Sequence, residues 1–177
     1  AFCPVWPVFP GSCRHGYQAG MAMPVTDVTL RLNMDRVLEH LPPLSFVESG
    51  EHHAGTVTVA AEHLRSNVGD VAVARRGMGT SYHLSVVVDD AYQGVTHVTR
   101  GQDLFDATAI HVVLQHLLDL PTPAYHHHRL ILDDAGKRLA KRHDSKAIAK
   151  FRDEGLSPED VRALVGLDRH GVAHQVR

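Results

Sequence analysis

The sequence predicts an α/β fold, and three observations carry that expectation. From about residue 75 onward, strand-like and helix-like segments follow one another as strand, helix, strand, basic loop, helix, the pattern of a sheet joined by crossover helices. Before that point the chain leans towards short strands, so a boundary is placed at 74/75, separating residues 1–74 from residues 75–177. With 44% hydrophobic and 21% charged residues in a chain of 177, there is enough apolar surface for a packed core.

The elements follow in order. Residues 1–24 are rich in Pro and Gly and read as irregular. Val28–Leu32 alternates as a short strand, and Leu44–Val47 repeats the signal after the Pro42-Pro43 break. Gly50–Gly55 is a loop, and Thr56–Val59 is a further strand. Asp70–Arg76 reads as a strand running into the Gly77-Met78-Gly79 turn. Leu84–Val88 is apolar and β-branched; it fits a buried strand or the middle of a buried helix, because so short a run has no decisive period. Val95–Arg100 is a strand ending at Gly101. Ala107, His111, Leu114 and Leu118 recur at helical spacing, so Leu104–Leu118 is a helix, stopped by Pro121 and Pro123. Tyr125–Leu132 is predicted as a strand. Ser157-Pro158-Glu159-Asp160 opens a last helix, with Ser as the cap and Pro in the first turn, and Gly166 closes it.

Charge and composition exclude several function classes. A formal net charge of -2 rules out a uniformly basic nucleic-acid binder, so any RNA contact must come from a local patch. One such patch exists: seven Lys or Arg lie between Lys137 and Arg152. No apolar run reaches the length of a membrane span, and the start lacks the pattern of a signal peptide. Residue 1 is Ala and not Met, which leads to the expectation of further sequence upstream. Two cysteines do not make a disulfide scaffold, so a cytoplasmic protein is expected. The sequence does not fix the oligomeric state; a monomer is the working expectation.

Two segments carry chemistry. Gly136-Lys137-Arg138-Leu139-Ala140-Lys141-Arg142 is a glycine-opened basic loop that could set a mobile ammonium on a polyphosphate, or could be an ordinary solvated turn. Tyr82, Arg100 and Asp103 form the second group. Ligands of open α/β sheets sit beyond the carboxyl ends of strands, where Arg100 falls. A guanidinium there can hold a carboxylate, with a Tyr hydroxyl completing the clamp. The alternative is a structural Arg100–Asp103 pair with Tyr82 packed. His126, His127 and His128 are read as strand residues near the site, since successive strand side chains alternate faces and cannot all meet one ion.

Read together, Thr80–Asp90, Gln93–Leu104, Leu120–His127 and Gly136–Arg142 resemble the class I glutamyl-tRNA synthetase family in order, spacing and wording. Within it the chain is most similar to the truncated branch, the glutamyl-queuosine tRNA(Asp) synthetases. Only about 35 residues follow the basic loop, too few for an anticodon-binding domain. Phe9–Arg14 also resembles the segment around that branch's last zinc ligand.

The resemblance implies a partial Rossmann-like catalytic fold, with residues 1–74 the remnant of an inserted acceptor-binding segment and residues 75–177 the second half of the nucleotide-binding domain. It implies ATP, with Mg, as co-substrate, and glutamate and tRNA(Asp) as partners. Tyr82 and Arg100 fall on glutamate-binding positions. Arg138, Leu139, Ala140, Lys141 and Arg142 fall on the Lys-Met-Ser-Lys-Ser-type loop that binds ATP, with Lys141 the catalytic cation and Ala140 in place of the usual Ser. It also implies that Leu84–Tyr92 is helical. Of the zinc ligands only Cys3 and Cys13 remain, with Phe9 at the Tyr position; two thiolates do not close a tetrahedral site, so zinc is not expected unless His15 or upstream residues contribute. The His-x-Gly-His-type motif is absent, so the 177 residues are expected to be an incomplete fragment inactive in adenylation. A fragment of a glutamyl-tRNA synthetase charging tRNA(Glu) and a non-catalytic RNA-binding remnant are the competing expectations.

Overall fold

The structure, a computed structural model, describes residues 8–9, 14, 28–77, 79–132, 136, 138–139 and 147–167. It is a mixed α/β fold whose chain divides into two compact units, residues 1–129 and residues 130–177.

Among the described residues, seven strands of the first unit form two sheets. The smaller has the order β1 (Leu30–Leu32), β4 (Val71–Arg75), β5 (Gly79–Thr80), all antiparallel. The larger has the order β3 (Gly55–Thr58), β2 (Ser45–Glu48), β7 (Ala124–His128), β6 (His97–Gly101). In it β2 and β6 both run parallel to β7, and β3 closes one edge as an antiparallel partner of β2. Strand pairing runs across position 74/75. β2 and β3, from before it, hydrogen-bond into the same sheet as β6 and β7, from after it, and the compact unit runs on to Arg129.

Helix α4 (Ala107–Leu117) is the crossover between the parallel strands β6 and β7, entered through a 3-10 turn at Gln102–Leu104. Six of its eleven residues are buried, because both its sides are used. Val113 packs with Met34, Leu64 and Val71, under the smaller sheet, while Val112 packs with Phe46 and Tyr125 of the larger one. Met34 opens the short α1 (Met34–Leu38), capped by the Asn33 side chain, and Leu64 starts a π-helical turn, Leu64–Val68, that continues from α2 (Ala61–His63). Burying such side chains supplies roughly 1.5–3 kcal/mol each before entropy is counted, which makes α4 the energetic centre of this unit.

The ambiguous Leu84–Val88 run is helical, inside α3 (Tyr82–Tyr92). End signals decide it where the β-branched run cannot. The Ser81 hydroxyl accepts from the Leu84 N–H at the start. At the end, Gly94 adopts φ 68°, Gly94 N–H donates to the Ala91 carbonyl and Val95 N–H to that of Asp90, a paired closure that needs a left-handed residue at position 94. Tyr125–Leu132 is shorter as a strand than predicted, since β7 ends at His128.

In the second unit Leu132 bridges Arg138 antiparallel, and Leu139 N–H donates to the Ile131 carbonyl at 3.0 Å. Two helices follow, α5 (Ile148–Asp153) and α6 (Pro158–Leu164). The capping reading of α6 holds: Ser157 accepts from Asp160 N–H, and the Asp160 side chain accepts in return from Ser157 N–H.

Candidate functional site

Because β2, β7 and β6 are parallel, their carboxyl ends lie along one side of the sheet, and each delivers a polar side chain there. Glu48 is the last residue of β2, His127 the fourth of β7 and Arg100 the fourth of β6, with Arg100 paired to His127 in the register. This is where an open α/β sheet places ligands.

The three side chains form a hydrogen-bonded line. Glu48 Oε2 lies 2.5 Å from His127 Nδ1, and Arg100 Nε donates to His127 Nε2 at 3.0 Å. Arg100 Nη2 donates to Thr108 Oγ1 at 2.6 Å, and Nη1 lies 3.1 Å from His111 Nδ1. His111 Nε2 then meets His83 Nδ1 at 3.0 Å. Thr108 and His111 project from α4 and His83 from α3, so both helices turn polar atoms towards the end of β6. The Tyr125 ring lies below, 5.3 Å from the guanidinium carbon, and the Tyr125 hydroxyl accepts from Gln115 Nε2.

Burial sets the protonation states. It drives His111 down to about 3, with the charge of Arg100 adding to the effect. His83 is lowered for the same two reasons. Burial also lowers His127, against the pull of Glu48. For Glu48 burial acts upward, but hydrogen bonds from the His127 N–H, the His127 ring and the Gly50 N–H outweigh it, and the carboxyl is held below its usual range. Burial pulls even the Arg100 guanidinium down. The acceptors at His127, His111 and Thr108 are neutral at pH 7: two imidazoles and a hydroxyl.

The guanidinium faces a cavity of about 310 Å³ lined by Tyr82, Val86, Asp90, Val98 and His111 among others. Arg100 and Tyr82, singled out in the sequence, thus line one cavity, and Tyr82 interacts with the guanidinium. The structural Arg100–Asp103 pairing is not what holds Arg100, whose hydrogen bonds go to His127, His111 and Thr108. Asp90 lines the same cavity, and burial raises its carboxyl. Of the basic loop, Arg138 and Leu139 belong to the second unit, while Ala140, Lys141 and Arg142 lie outside the described residues.

Cys3 and Cys13 also lie outside the described residues, and no group of three or more metal-binding side chains occurs among the described ones. Phe9, at the expected Tyr position, has its ring beneath the Arg31 guanidinium at 4.3 Å. No helix among the described residues is long and apolar enough to cross a membrane.

Sequence reasoning missed Glu48, Thr108, His83 and the polar role of His111. One signal was present: in Ser45-Phe46-Val47-Glu48 the acid shares the face of Phe46, an inward position for a charge.

Comparison with known proteins agrees with this picture. A family model described as tRNA synthetases class I (E and Q), catalytic domain, matches residues 47–175. The Glutamyl-Q tRNA(Asp) synthetase of Rhodobacter capsulatus is 56% identical over 160 residues, covering 90% of this chain and 56% of that protein. The protein of the same name from Janthinobacterium sp. is 38% identical, covering 80% of this chain and 45% of its own length. This chain spans about half the length of the curated relatives it matches. Among solved structures, a glutamate-tRNA synthetase from Elizabethkingia anophelis superimposes with TM-score 0.54 at 22% identity, over 75% of this chain and 30% of that one, a likeness of fold.

Proposed function

This chain belongs to the class I tRNA synthetases (E and Q) through its catalytic domain, and is a ligase by family; on that premise we propose that it serves a protein that activates glutamate with ATP and transfers it to the queuosine base of tRNA(Asp). The observation that carries the reading is Arg100. It is a partly buried guanidinium whose acceptors at His127, His111 and Thr108 are neutral, so its charge remains available at the cavity wall beside Tyr82. A carboxylate is the natural complement: planar, anionic and able to accept from the remaining N–H groups of the fork. Glutamate offers such a group on a chain short enough for a cavity of this size.

In adenylation a glutamate carboxylate oxygen attacks the α-phosphorus of ATP, the bond from that phosphorus to the bridging oxygen breaks, and pyrophosphate leaves; a bound Mg would supply charge neutralisation of the phosphates. Arg100 and Tyr82 bind and orient the amino acid. Lys141, with Arg138 and Arg142 on the basic loop, steadies the phosphates as charge develops on them. Ala140 leaves out the hydroxyl of the family's usual Ser but keeps the neighbouring cations. Residues 1–74 contribute the acceptor-binding part and residues 75–177 the second half of the catalytic domain. The names of the relatives, Glutamyl-Q tRNA(Asp) synthetases, support queuosine of tRNA(Asp) as acceptor.

Titration of the chain with L-glutamate, followed by calorimetry or by chemical-shift changes at Arg100 and His111, tests the reading. Saturable binding lost in Arg100→Ala supports it; glutamate failing to bind, or binding equally to that variant, overturns it. Assays of glutamate-dependent pyrophosphate exchange and of transfer to tRNA(Asp), with the chain joined to a half bearing the His-x-Gly-His-type motif, then test the ATP and acceptor assignments.

A further inference from the structure

Resting on the reading of Arg100 as the glutamate clamp, we propose that Glu48 and His127 are positioning residues. Glu48 holds His127 as the Nδ1–H tautomer, so that bare Nε2 accepts from Arg100 and aims the guanidinium into the cavity.

Hydrogen-bond direction assigns the tautomer from both ends. Ionised Glu48 can only accept, so the proton between Glu48 Oε2 and His127 Nδ1 sits on the nitrogen. Arg100 Nε can only donate, so His127 Nε2 must be bare. A single neutral imidazole satisfies both constraints, whereas an imidazolium would place N–H against N–H at Arg100. The same logic continues on the other arm: Arg100 Nη1 donates to His111 Nδ1, so His111 carries its proton on Nε2 and donates to His83 Nδ1.

Glu48 is itself fixed with unusual thoroughness. Its Oε1 accepts from the backbone N–H groups of Gly50 at 2.6 Å and His127 at 3.0 Å, and the residue is 2% exposed. Gly50 is required for this fit, because a Cβ there would run into the His127 carbonyl oxygen and the Glu48 carboxylate. A charge buried this deeply needs complete hydrogen bonding, and all its donors come from the element that carries His127 or from the loop beside it. Three strand ends are thereby tied to one guanidinium.

The substitution Glu48→Gln separates positioning from packing. Its Oε1 can still accept from both backbone N–H groups, but its amide NH₂ faces His127 Nδ1 and donates. The ring proton moves to Nε2 and confronts Arg100 Nε–H. Shape is kept and the donor pattern reversed, so Arg100 turns from its aim.

Two measurements test the proposal: long-range ¹H–¹⁵N spectra of the imidazole nitrogens, and L-glutamate titration of wild type, Glu48→Gln and Arg100→Ala. Positioning predicts the Nδ1–H tautomer at His127 in wild type and Nε2–H in Glu48→Gln. The variant's dissociation constant for glutamate should rise about tenfold or more, while its far-UV spectrum stays native. A wild-type His127 that is Nε2–H or imidazolium overturns the proposal, even if the variant fails to fold. So does a Glu48→Gln variant that binds glutamate like wild type while Arg100→Ala has lost it; the clamp reading would then stand and positioning fall. If wild type does not bind glutamate, the clamp reading fails, and the proposal, which rests on it, fails with it.

Discussion

Two arginines in the first unit each use Nε and both Nη groups in side-chain hydrogen bonds, yet they do opposite things. Arg14 gives Nε and Nη2 to Asp70 at 2.8 and 2.7 Å and Nη1 to Asp35. Arg100 gives the same three nitrogens to His127, His111 and Thr108. The hydrogen bonds to Asp70 and Asp35 raise the Arg14 guanidinium above its ordinary value, whereas burial lowers that of Arg100. Acceptor charge, and not the number of bonds, separates a staple from a site. The charge of Arg14 is neutralised where it stands, tying residue 14 to the start of α1 and to the residue before β4. That of Arg100 is left over and faces a cavity.

The largest expected effect is on Arg100→Ala. With the clamp removed, the dissociation constant for glutamate should rise by about 100-fold or more, roughly 3 kcal/mol. Stability should fall less than in Arg14→Ala, because the acceptors left behind are neutral and Thr108 Oγ1 lies 3.3 Å from His127 Nε2, close enough to pair with it. Calorimetric titration and urea unfolding read the two quantities separately. Arg14→Ala should show the mirror image. Asp70, 4% exposed and also accepting from Met34 N–H, would lose its charged partner, and unfolding free energy should fall by about 2 kcal/mol. Glutamate affinity should not move. A loss of affinity in Arg14→Ala would erase the distinction.

The next effect is a pH dependence that belongs to the Arg100 cluster. His111, facing Arg100, His83 and His127, has a folded pKa of about 3 against an ordinary 6.5. The unfolded chain therefore binds more protons between those values, and stability falls as pH falls. The contribution is full above pH 6.5 and amounts to a loss of about 2 kcal/mol by pH 5. His83 and His127, also lowered, act in the same direction. Glu48 and Asp70, both lowered, lose their contributions only as pH drops below the ordinary carboxylate range. Between pH 6.5 and 5 the imidazoles dominate. Urea unfolding of wild type and His111→Asn across that window should show the shallower slope in the variant; equal slopes would place the titration elsewhere.

How much was legible in the sequence follows from the range of each interaction. The Ser157 cap on Asp160 N–H spans three residues and was read directly, while the return bond from Ser157 N–H to the Asp160 side chain came with the structure. Arg100 was found because a cation at the end of a β-branched run is a local pattern, and Tyr82 because the ordered motifs place it. Glu48 and His127 are 79 residues apart, and no local window joins them. The pairing across 74/75 was hidden for the same reason: β2 finds its parallel partner only in β7, after four strands and three α-helices have intervened. Leu84–Val88 defeated periodicity because its helical identity rests on Ser81 and Gly94, outside the apolar run. Local chemistry is visible in order, while a site assembled from parallel strand ends becomes visible only when the register is known.

The smallest expected effect sharpens what the leftover charge does. Tyr82 is 60% exposed, so its ring contributes little to packing, yet it interacts with Arg100 at the cavity wall. Removing only the hydroxyl in Tyr82→Phe should leave unfolding free energy within about 0.5 kcal/mol of wild type. Loss of one hydrogen bond to a bound carboxylate should raise the glutamate dissociation constant about fivefold, close to 1 kcal/mol. Such a result, beside the much larger loss in Arg100→Ala, would make the clamp two-membered and unequal: the guanidinium supplies attraction, and the phenol selects orientation. An unchanged affinity in Tyr82→Phe would assign recognition to the guanidinium and its neutral imidazole cradle, and the difference between the two arginines would then rest wholly on what each is bonded to.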